Sequence, residues 1–152
     1  MAAAYDFIKL RRLLNIHLVI QVVLGALLLW TAWLFQQRLA DRFLSGVIFS
    51  LVIQLGLFFP IKSLTAKEVD REIASSAIGL TPADLQALRR KRVTADVIKS
   101  SVFLFFFIFI YTVPAKPIIL AITYITFILT CLSYFQCFNF AARREMRARA
   151  GQ

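Results

Sequence analysis

The sequence contains few of the residues that carry most protein chemistry. Its 152 residues include one histidine, two cysteines, five glycines and eight acidic residues. A single histidine excludes bis-histidine haem ligation and a multi-histidine metal site within one chain. Cys131 and Cys137 point more than about 100° apart on a helix, so they form no metal pair. We therefore expect neither a metal nor another cofactor.

Motifs for catalysis are absent as well. The sequence has no glycine-rich phosphate loop and no G-x-S-x-G nucleophile elbow. The carboxylates all lie outside the long apolar runs, at Asp6, Asp41, Glu68, Asp70, Glu72, Asp84, Asp96 and Glu145. Small proton-coupled exporters depend on a carboxylate inside the membrane, so that class is disfavoured. The sequence predicts no catalytic residue, and we expect a protein that is not an enzyme.

Apolar residues are abundant. Hydrophobic residues make up 60% of the chain and charged residues 17%, against a usual hydrophobic share of about 45–50%. A soluble domain of this size leaves roughly a third of its unfolded surface in water, which is too much for this composition. The lipid bilayer is the solvent that fits, so we expect an integral membrane protein.

Four apolar runs predict four membrane-spanning helices, at about 13–35, 43–61, 97–115 and 117–140, with Lys99 near the start of the third. The first run is about 34 Å long as a helix, enough for a hydrocarbon core of about 30 Å. Short polar turns follow the first and third runs and give two helical hairpins of parallel orientation. The predicted fold is all-α: a four-helix transmembrane bundle that makes one integral membrane domain over residues 1–152.

The distribution of basic residues predicts the topology. Fifteen of the 18 lysines and arginines lie in the N-terminal segment, the middle loop and the tail, and three lie in the two short turns. The positive-inside rule places the basic side in the cytoplasm, together with both termini. The formal net charge of +10 therefore reflects topology, and we expect no nucleic-acid partner.

The middle loop, residues 62–99, carries signals of helix ends. Gly79 is a plausible helix stop, Thr81 an N-cap, Pro82 a first helical residue and Asp84 the acidic residue three after the cap. Together they predict a helix–turn–helix, with the second and third spans continuing as an antiparallel cytoplasmic stalk.

Within this stalk we expect apolar packing and a basic patch. Leu85 and Leu88 are predicted to pack on Val69 and Ile73. The patch consists of Arg89, Arg90, Lys91 and Arg92. These residues suit a topology determinant at the membrane surface, and the alternative is a site for anionic lipid headgroups.

The polar side chains within the first two apolar runs include His17, Gln21 and Gln54. His17 and Gln21 share one helix face, and Gln54 follows small residues at four-residue steps in the second run. Counted from the charged boundaries, the two glutamines lie at similar depth, which predicts an interhelical Gln21–Gln54 hydrogen bond. The alternative is a ligand or ion site lined by all three side chains.

The fourth run carries a stripe of small polar residues with heptad-like spacing. Its members are Thr123, Thr126, Thr130, Ser133 and Cys137. Such a narrow face favours close packing on protein, and a water-lined pore is the alternative.

Two function classes follow. The first is a non-catalytic subunit or scaffold, a homo-oligomer or part of a membrane complex, whose basic stalk docks a partner. The second is a small oligomeric channel or transporter, lined by the stripe or by His17, Gln21 and Gln54. Topology of this kind occurs in many unrelated proteins and does not decide between them.

Overall fold

The computed structural model describes residues 6–112 and 116–150 and contains helices and turns without a strand in these ranges. The helices are α1 (Ile8–Leu39), a 3-10 turn (Ala40–Arg42), α2 (Phe43–Ala74), α3 (Pro82–Thr112) and α4 (Pro117–Ala150). The predicted all-α class is therefore confirmed. The end of the predicted third span, residues 113–115, lies outside the described residues.

The helices have the length and composition of membrane spans. Within the described residues, three helical stretches are long and apolar enough to cross a membrane, namely Ile8–Ala74, Pro82–Thr112 and Pro117–Arg149. The first stretch contains both α1 and α2 and is interrupted by the 3-10 turn. These features are those of an integral membrane protein.

The chain reverses between α1 and α2. Ala40 has φ 42° and ψ −113°, a left-handed conformation that is costly for a residue with a side chain. Its backbone N–H donates to the Gln36 carbonyl and so closes α1. At the far end of the hairpin, the Asp6 backbone N–H donates to the Ser76 carbonyl over 2.9 Å. The two helices are therefore antiparallel along their whole length.

The best-packed part of the molecule lies at the open end of this hairpin, which we call the core end. Leu10 and Leu14 of α1, Val69 and Ile73 of α2, and Phe138 and Ala142 of α4 form one buried cluster there. The opposite end, with the Ala40–Arg42 turn, is the turn end. Residue numbers rise together along α2 and α4, so these two helices are parallel.

The predicted packing of the stalk is wrong. Val69 and Ile73 are covered by α1 and α4 rather than by Leu85 and Leu88, and Leu85 is exposed. The reason is that α1 begins at Ile8, several residues before its apolar run, and α4 continues to Ala150. Both helices therefore reach the C-terminal half of α2 and bury its apolar face.

The predicted start of α3 is confirmed, whereas the prediction of Gly79 as the stop of the preceding helix is wrong, because α2 ends at Ala74. The Asp84 backbone N–H donates to Thr81 Oγ1 over 3.2 Å, and the Thr81 backbone N–H donates to Asp84 Oδ2 over 3.3 Å. This is the reciprocal arrangement of a capping box. Gly79 has φ +90°, a conformation that glycine adopts without strain, and α3 begins at Pro82.

Small side chains bring α2 and α4 close together near the turn end. Gly46 faces the Ile118 and Ile122 side chains, where a Cβ would lie 3.9 and 3.8 Å from them. Ser50 is fully buried. Its hydroxyl lies 2.9 Å from the Gly46 carbonyl and 3.4 Å from the Ile122 carbonyl, within donating distance of both. This contact is the small-residue packing expected of the second apolar run.

Candidate functional site

A polar cluster at the core end draws residues from all four helices, and we call it the Glu68 cluster. Its members are His17 of α1, Glu68 of α2, Lys99 of α3, and Tyr134 and Asn139 of α4. The Glu68 carboxylate accepts hydrogen bonds from the Tyr134 hydroxyl and the Lys99 ammonium. The Glu68 side chain is only 17% exposed. A charge with so little water around it requires such partners.

The position of Glu68 corrects the sequence interpretation of the acidic residues. Its neighbour Val69 packs beside Leu14, so Glu68 lies level with the start of the first apolar run. The sequence places Glu68 outside the apolar runs, yet in the structure its side chain is mostly buried. The N-terminal part of α1 and the C-terminal part of α4 cover this region of α2, and neither was expected to extend so far.

Ion pairs attach α3 to the rest of the molecule. Lys99 bonds Glu68, lies 5.5 Å from the centre of the Tyr134 ring and is 3.6 Å from Asp96. Nearer the start of α3, Arg92 pairs with Glu72, and Arg71 Nη1 donates to the Lys91 carbonyl over 2.8 Å. No residue of α3, all of which are described, is buried.

His17 occupies an aromatic niche between α1 and α4. It is 9% exposed. Its ring centre lies 4.8 Å from that of Phe135 and 4.9 Å from that of Phe138, the second contact being edge-to-face. The Asn139 side chain is adjacent and is 8% exposed. His17 is thus a buried residue of the α1–α4 seam.

The predicted Gln21–Gln54 hydrogen bond is wrong. Gln54 Nε2 donates to Ser133 Oγ over 2.7 Å and lies 3.4 Å from the Leu129 carbonyl. Gln54 Oε1 accepts from the Thr130 hydroxyl over 3.1 Å. The amide of α2 is therefore satisfied by α4, while Gln21 Nε2 is buried without a partner among the described residues.

The error lies in the register of the hairpin. The charged boundaries of the apolar runs do not give the relative depth of the two residues, because the tight turn sets which residues are level. Measured from Asp41 in the turn, Gln21 is twenty residues away and Gln54 only thirteen. The difference is about 10 Å along the helix axes, which is too far for a hydrogen bond. His17 and Gln54 are further apart still, so the three side chains do not line one site.

The stripe on α4 faces the interior of the molecule. Thr123 and Thr126 are buried, and Thr130 and Ser133 bond Gln54. Cys137, the member nearest the core end, is half-buried. Two features that the sequence presents separately, the stripe and Gln54, therefore form one contact.

No family model, no curated protein and no solved structure matches the chain. Within residues 6–112 and 116–150, no group of three or more histidine, cysteine, aspartate or glutamate side chains could hold a metal ion. What the protein does must follow from the placement of its own residues.

One side chain of the basic patch forms an ion pair within the chain, and the other three are exposed. Arg92 pairs with Glu72, and the Lys91 carbonyl accepts from Arg71. The side chains of Arg89, Arg90 and Lys91 are exposed. Three cationic groups therefore remain available at the surface of α3 for an anionic surface or partner.

Sequence reasoning missed Glu68, Lys99 and Tyr134 as members of one cluster. One signal for Glu68 was present in the sequence. Glu68 and Leu14 are equally far from Asp41 in the turn, so they lie at the same level of the hairpin. That count would have shown a carboxylate at the edge of an apolar layer, where a partner is needed. Nothing in the sequence identifies Tyr134 as that partner, since it depends on the packing of α4.

Proposed function

We propose that the protein is a four-span integral membrane protein that acts as a non-catalytic subunit or scaffold and binds a partner through α3. Both termini and the α2–α3 connection lie in the cytoplasm. One observation carries the proposal: α3 buries none of its residues. The other three helices already form a core without it, so the surface of α3 is free to contact another molecule.

The hairpin geometry supports four spans rather than three. α1 and α2 have 32 residues each, about 48 Å as helices, against a hydrocarbon core of about 30 Å. Antiparallel helices of this length cross the bilayer once each and extend beyond it at one end. The basic residues concentrate at the core end, which favours the cytoplasm for that end.

The cytoplasmic half of α3 has the composition of a binding surface. Leu85 is 51% and Val93 56% exposed, and the exposed cations of Arg89, Arg90 and Lys91 lie between them. Apolar side chains in water together with arginine are the typical content of a protein–protein contact. The phenylalanines further along α3 face lipid under this proposal, where their exposure has no cost.

The channel alternative has less support. Thr130 and Ser133 bond Gln54 of the same chain, so the stripe points inwards between α2 and α4. An oligomeric pore lined by the stripe would require these hydrogen bonds to break and α4 to rotate. A pore lined by His17, Gln21 and Gln54 would need side chains that lie at different depths.

The proposal is tested by isolating the tagged protein from its native membranes in mild detergent. We expect a discrete complex, with a second copy or another protein in fixed ratio, well above the 17.3 kDa of one chain. Substituting Leu85→Glu together with Val93→Glu should dissociate it. Ile78→Glu is the matched control, because Ile78 is also exposed but lies in the turn before α3.

A monomer in native membranes, or a complex that survives the double substitution, would overturn the docking role. Topology is tested separately with single cysteines at residues 38 and 81, after Cys131 and Cys137 are replaced. A membrane-impermeant thiol reagent should label residue 38 from outside intact cells. It should label residue 81 only after the membrane is opened, and the reverse pattern would refute the assigned orientation.

A further inference from the structure

The Glu68 cluster has a fixed part and an exchangeable part. The fixed part, which we call the receptor pair, is the Glu68 carboxylate of α2 and the Tyr134 side chain of α4. Val69 and Phe138 on the same two helices are each 1% exposed, so the core holds both members in position. The exchangeable part is the ammonium of Lys99, because its helix α3 buries none of its residues.

The receptor pair meets the Lys99 ammonium with groups that recognise a primary amine. Glu68 Oε1 accepts a hydrogen bond from Lys99 Nζ, and the centre of the Tyr134 ring lies 5.5 Å from Nζ. The Tyr134 hydroxyl donates to the other carboxylate oxygen, Oε2, and so holds the carboxylate in place. A carboxylate beside an aromatic face attracts an organic ammonium ion through its charge, its hydrogen bond and the quadrupole of the ring.

The ammonium side of this site is open to solution. The Lys99 side chain is 34% exposed, against 17% for that of Glu68. Asp96 Oδ1 lies 3.6 Å from Lys99 Nζ, and the Asp96 side chain is 60% exposed. A cation from solution can therefore reach the carboxylate from the side of Lys99, where Asp96 adds negative charge that attracts it.

Exchange of one ammonium for another leaves the receptor pair satisfied. Removal of Lys99 leaves the Glu68 carboxylate without its cation, which is costly for a mostly buried charge. A ligand amine in the place of Lys99 restores the same hydrogen bond and the same ring contact. The displaced lysine moves into water, and α3 has no buried side chain that resists the movement.

We infer that Glu68 and Tyr134 form a binding site for a primary alkylammonium ion, which Lys99 occupies from within the chain. A ligand amine that displaces Lys99 takes over its hydrogen bond to Glu68 and its place beside the Tyr134 ring. It also breaks one of the ion pairs that attach α3, so that binding loosens α3. The receptor pair lies on α2 and α4, and the site is therefore independent of the docking role proposed for α3.

The first test uses n-butylammonium chloride, which has the head group and the length of a lysine side chain. Lys99→Ala removes the occupant and leaves the receptor pair in place. In mixed micelles, n-butylammonium on the order of 10 mM should lower the unfolding equilibrium constant of this variant at least about fivefold. The constant of the wild type should change less than about twofold, because the tethered Lys99 competes at high effective concentration.

Controls separate recognition of the ammonium from other effects on stability. Butan-1-ol fills the same space without a charge, and sodium chloride supplies the same ionic strength, so neither should reproduce the effect in Lys99→Ala. Lys67→Ala is the matched variant, since Lys67 is exposed on α2, and n-butylammonium should stabilise it no more than the wild type. Adding Tyr134→Leu to Lys99→Ala should abolish the effect. An equal effect with butan-1-ol or sodium chloride, no effect with n-butylammonium, or an effect that survives Tyr134→Leu would overturn the site.

The wild type gives a second test that does not depend on the folding of Lys99→Ala. With Cys131 and Cys137 replaced, spin labels at Val97 of α3 and Gln136 of α4 report the distance between the two helices. Because Lys99 is tethered, n-butylammonium at about a hundred times the concentration that half-saturates Lys99→Ala should broaden the distance distribution. Sodium chloride of the same ionic strength should broaden it less. Equal broadening by the two salts, or none by n-butylammonium, would show that Lys99 is not exchanged for a ligand.

Discussion

α3 and α4 have nearly equal mean hydropathy, but only α4 is partly buried among the other helices. The most apolar 18-residue segments of the two helices have mean hydropathies of 2.0 for α3 and 2.1 for α4. In α4, 28% of this segment is buried, and in α3 none of it is. The difference follows from side-chain size. The buried residues of α4 include Ala121, Thr123, Thr126 and Ala142, and α3 carries a run of phenylalanines. Between helices in lipid, small residues that allow close approach decide packing, because the tails are as apolar as leucine.

The largest change in the free energy of unfolding is expected for a buried phenylalanine of α4, in comparison with an exposed phenylalanine of α3. Phe138 is 1% exposed and Phe107 is 74% exposed. Phe138→Ala should lower the free energy of unfolding by about 3 kcal/mol, through lost contacts and a cavity. Phe107→Ala should change it by less than about 1 kcal/mol. Reversible unfolding in mixed micelles measures both, and equal losses would mean that α3 is packed as tightly as α4.

The second prediction concerns the attachment of α3. Lys99→Met leaves Glu68 without its cation and should lower the free energy of unfolding by about 2 kcal/mol, less than for a fully buried pair because Lys99 is partly exposed. It should also broaden the distance distribution between spin labels at Val97 of α3 and Gln136 of α4. Lys67→Met is the control, since Lys67 is exposed on α2. An unchanged distribution would show that charge does not hold α3.

The third prediction concerns the contact that gives α4 its central place. A double-mutant cycle of Gln54→Leu and Ser133→Ala should give a coupling of about 0.6–2 kcal/mol, the size expected for a hydrogen bond between membrane helices. The cycle of Gln21→Leu and Gln54→Leu should be additive within about 0.5 kcal/mol. Coupling between the two glutamines would restore the pairing that the structure contradicts.

The smallest expected effect lies in the turn between α1 and α2. Ala40 adopts φ 42°, which glycine tolerates without strain. Ala40→Gly should therefore raise the free energy of unfolding by about 0.5–1 kcal/mol, offset in part by a more flexible unfolded chain. Ala83→Gly near the start of α3 is the control and should lower it. A destabilising Ala40→Gly would indicate that the turn is not strained.

Hydrophobic runs and capping signals were sufficient to predict the helices, but not to predict which side chains of different helices contact each other. The helical fold and the capping box at Thr81 follow from local sequence, because they depend on residues close together in the chain. The partner of Gln54 depends on helix register, which the turn at Asp41 sets and the charged boundaries do not. The Glu68 cluster depends on α1 and α4 extending past their apolar runs, and extension of that kind is set by packing.

The central place of α4 has a consequence for the order of assembly. α1 and α2 precede it in the chain, so under the proposed four-span topology their hairpin enters the bilayer before its main packing partner has been made. During that interval the Gln54 amide faces hydrocarbon without Thr130 and Ser133, a costly state for a polar group. We expect the nascent hairpin to remain beside the insertion machinery until residues 117–150 arrive. Premature termination after α3 should then leave a product that is degraded rather than stored.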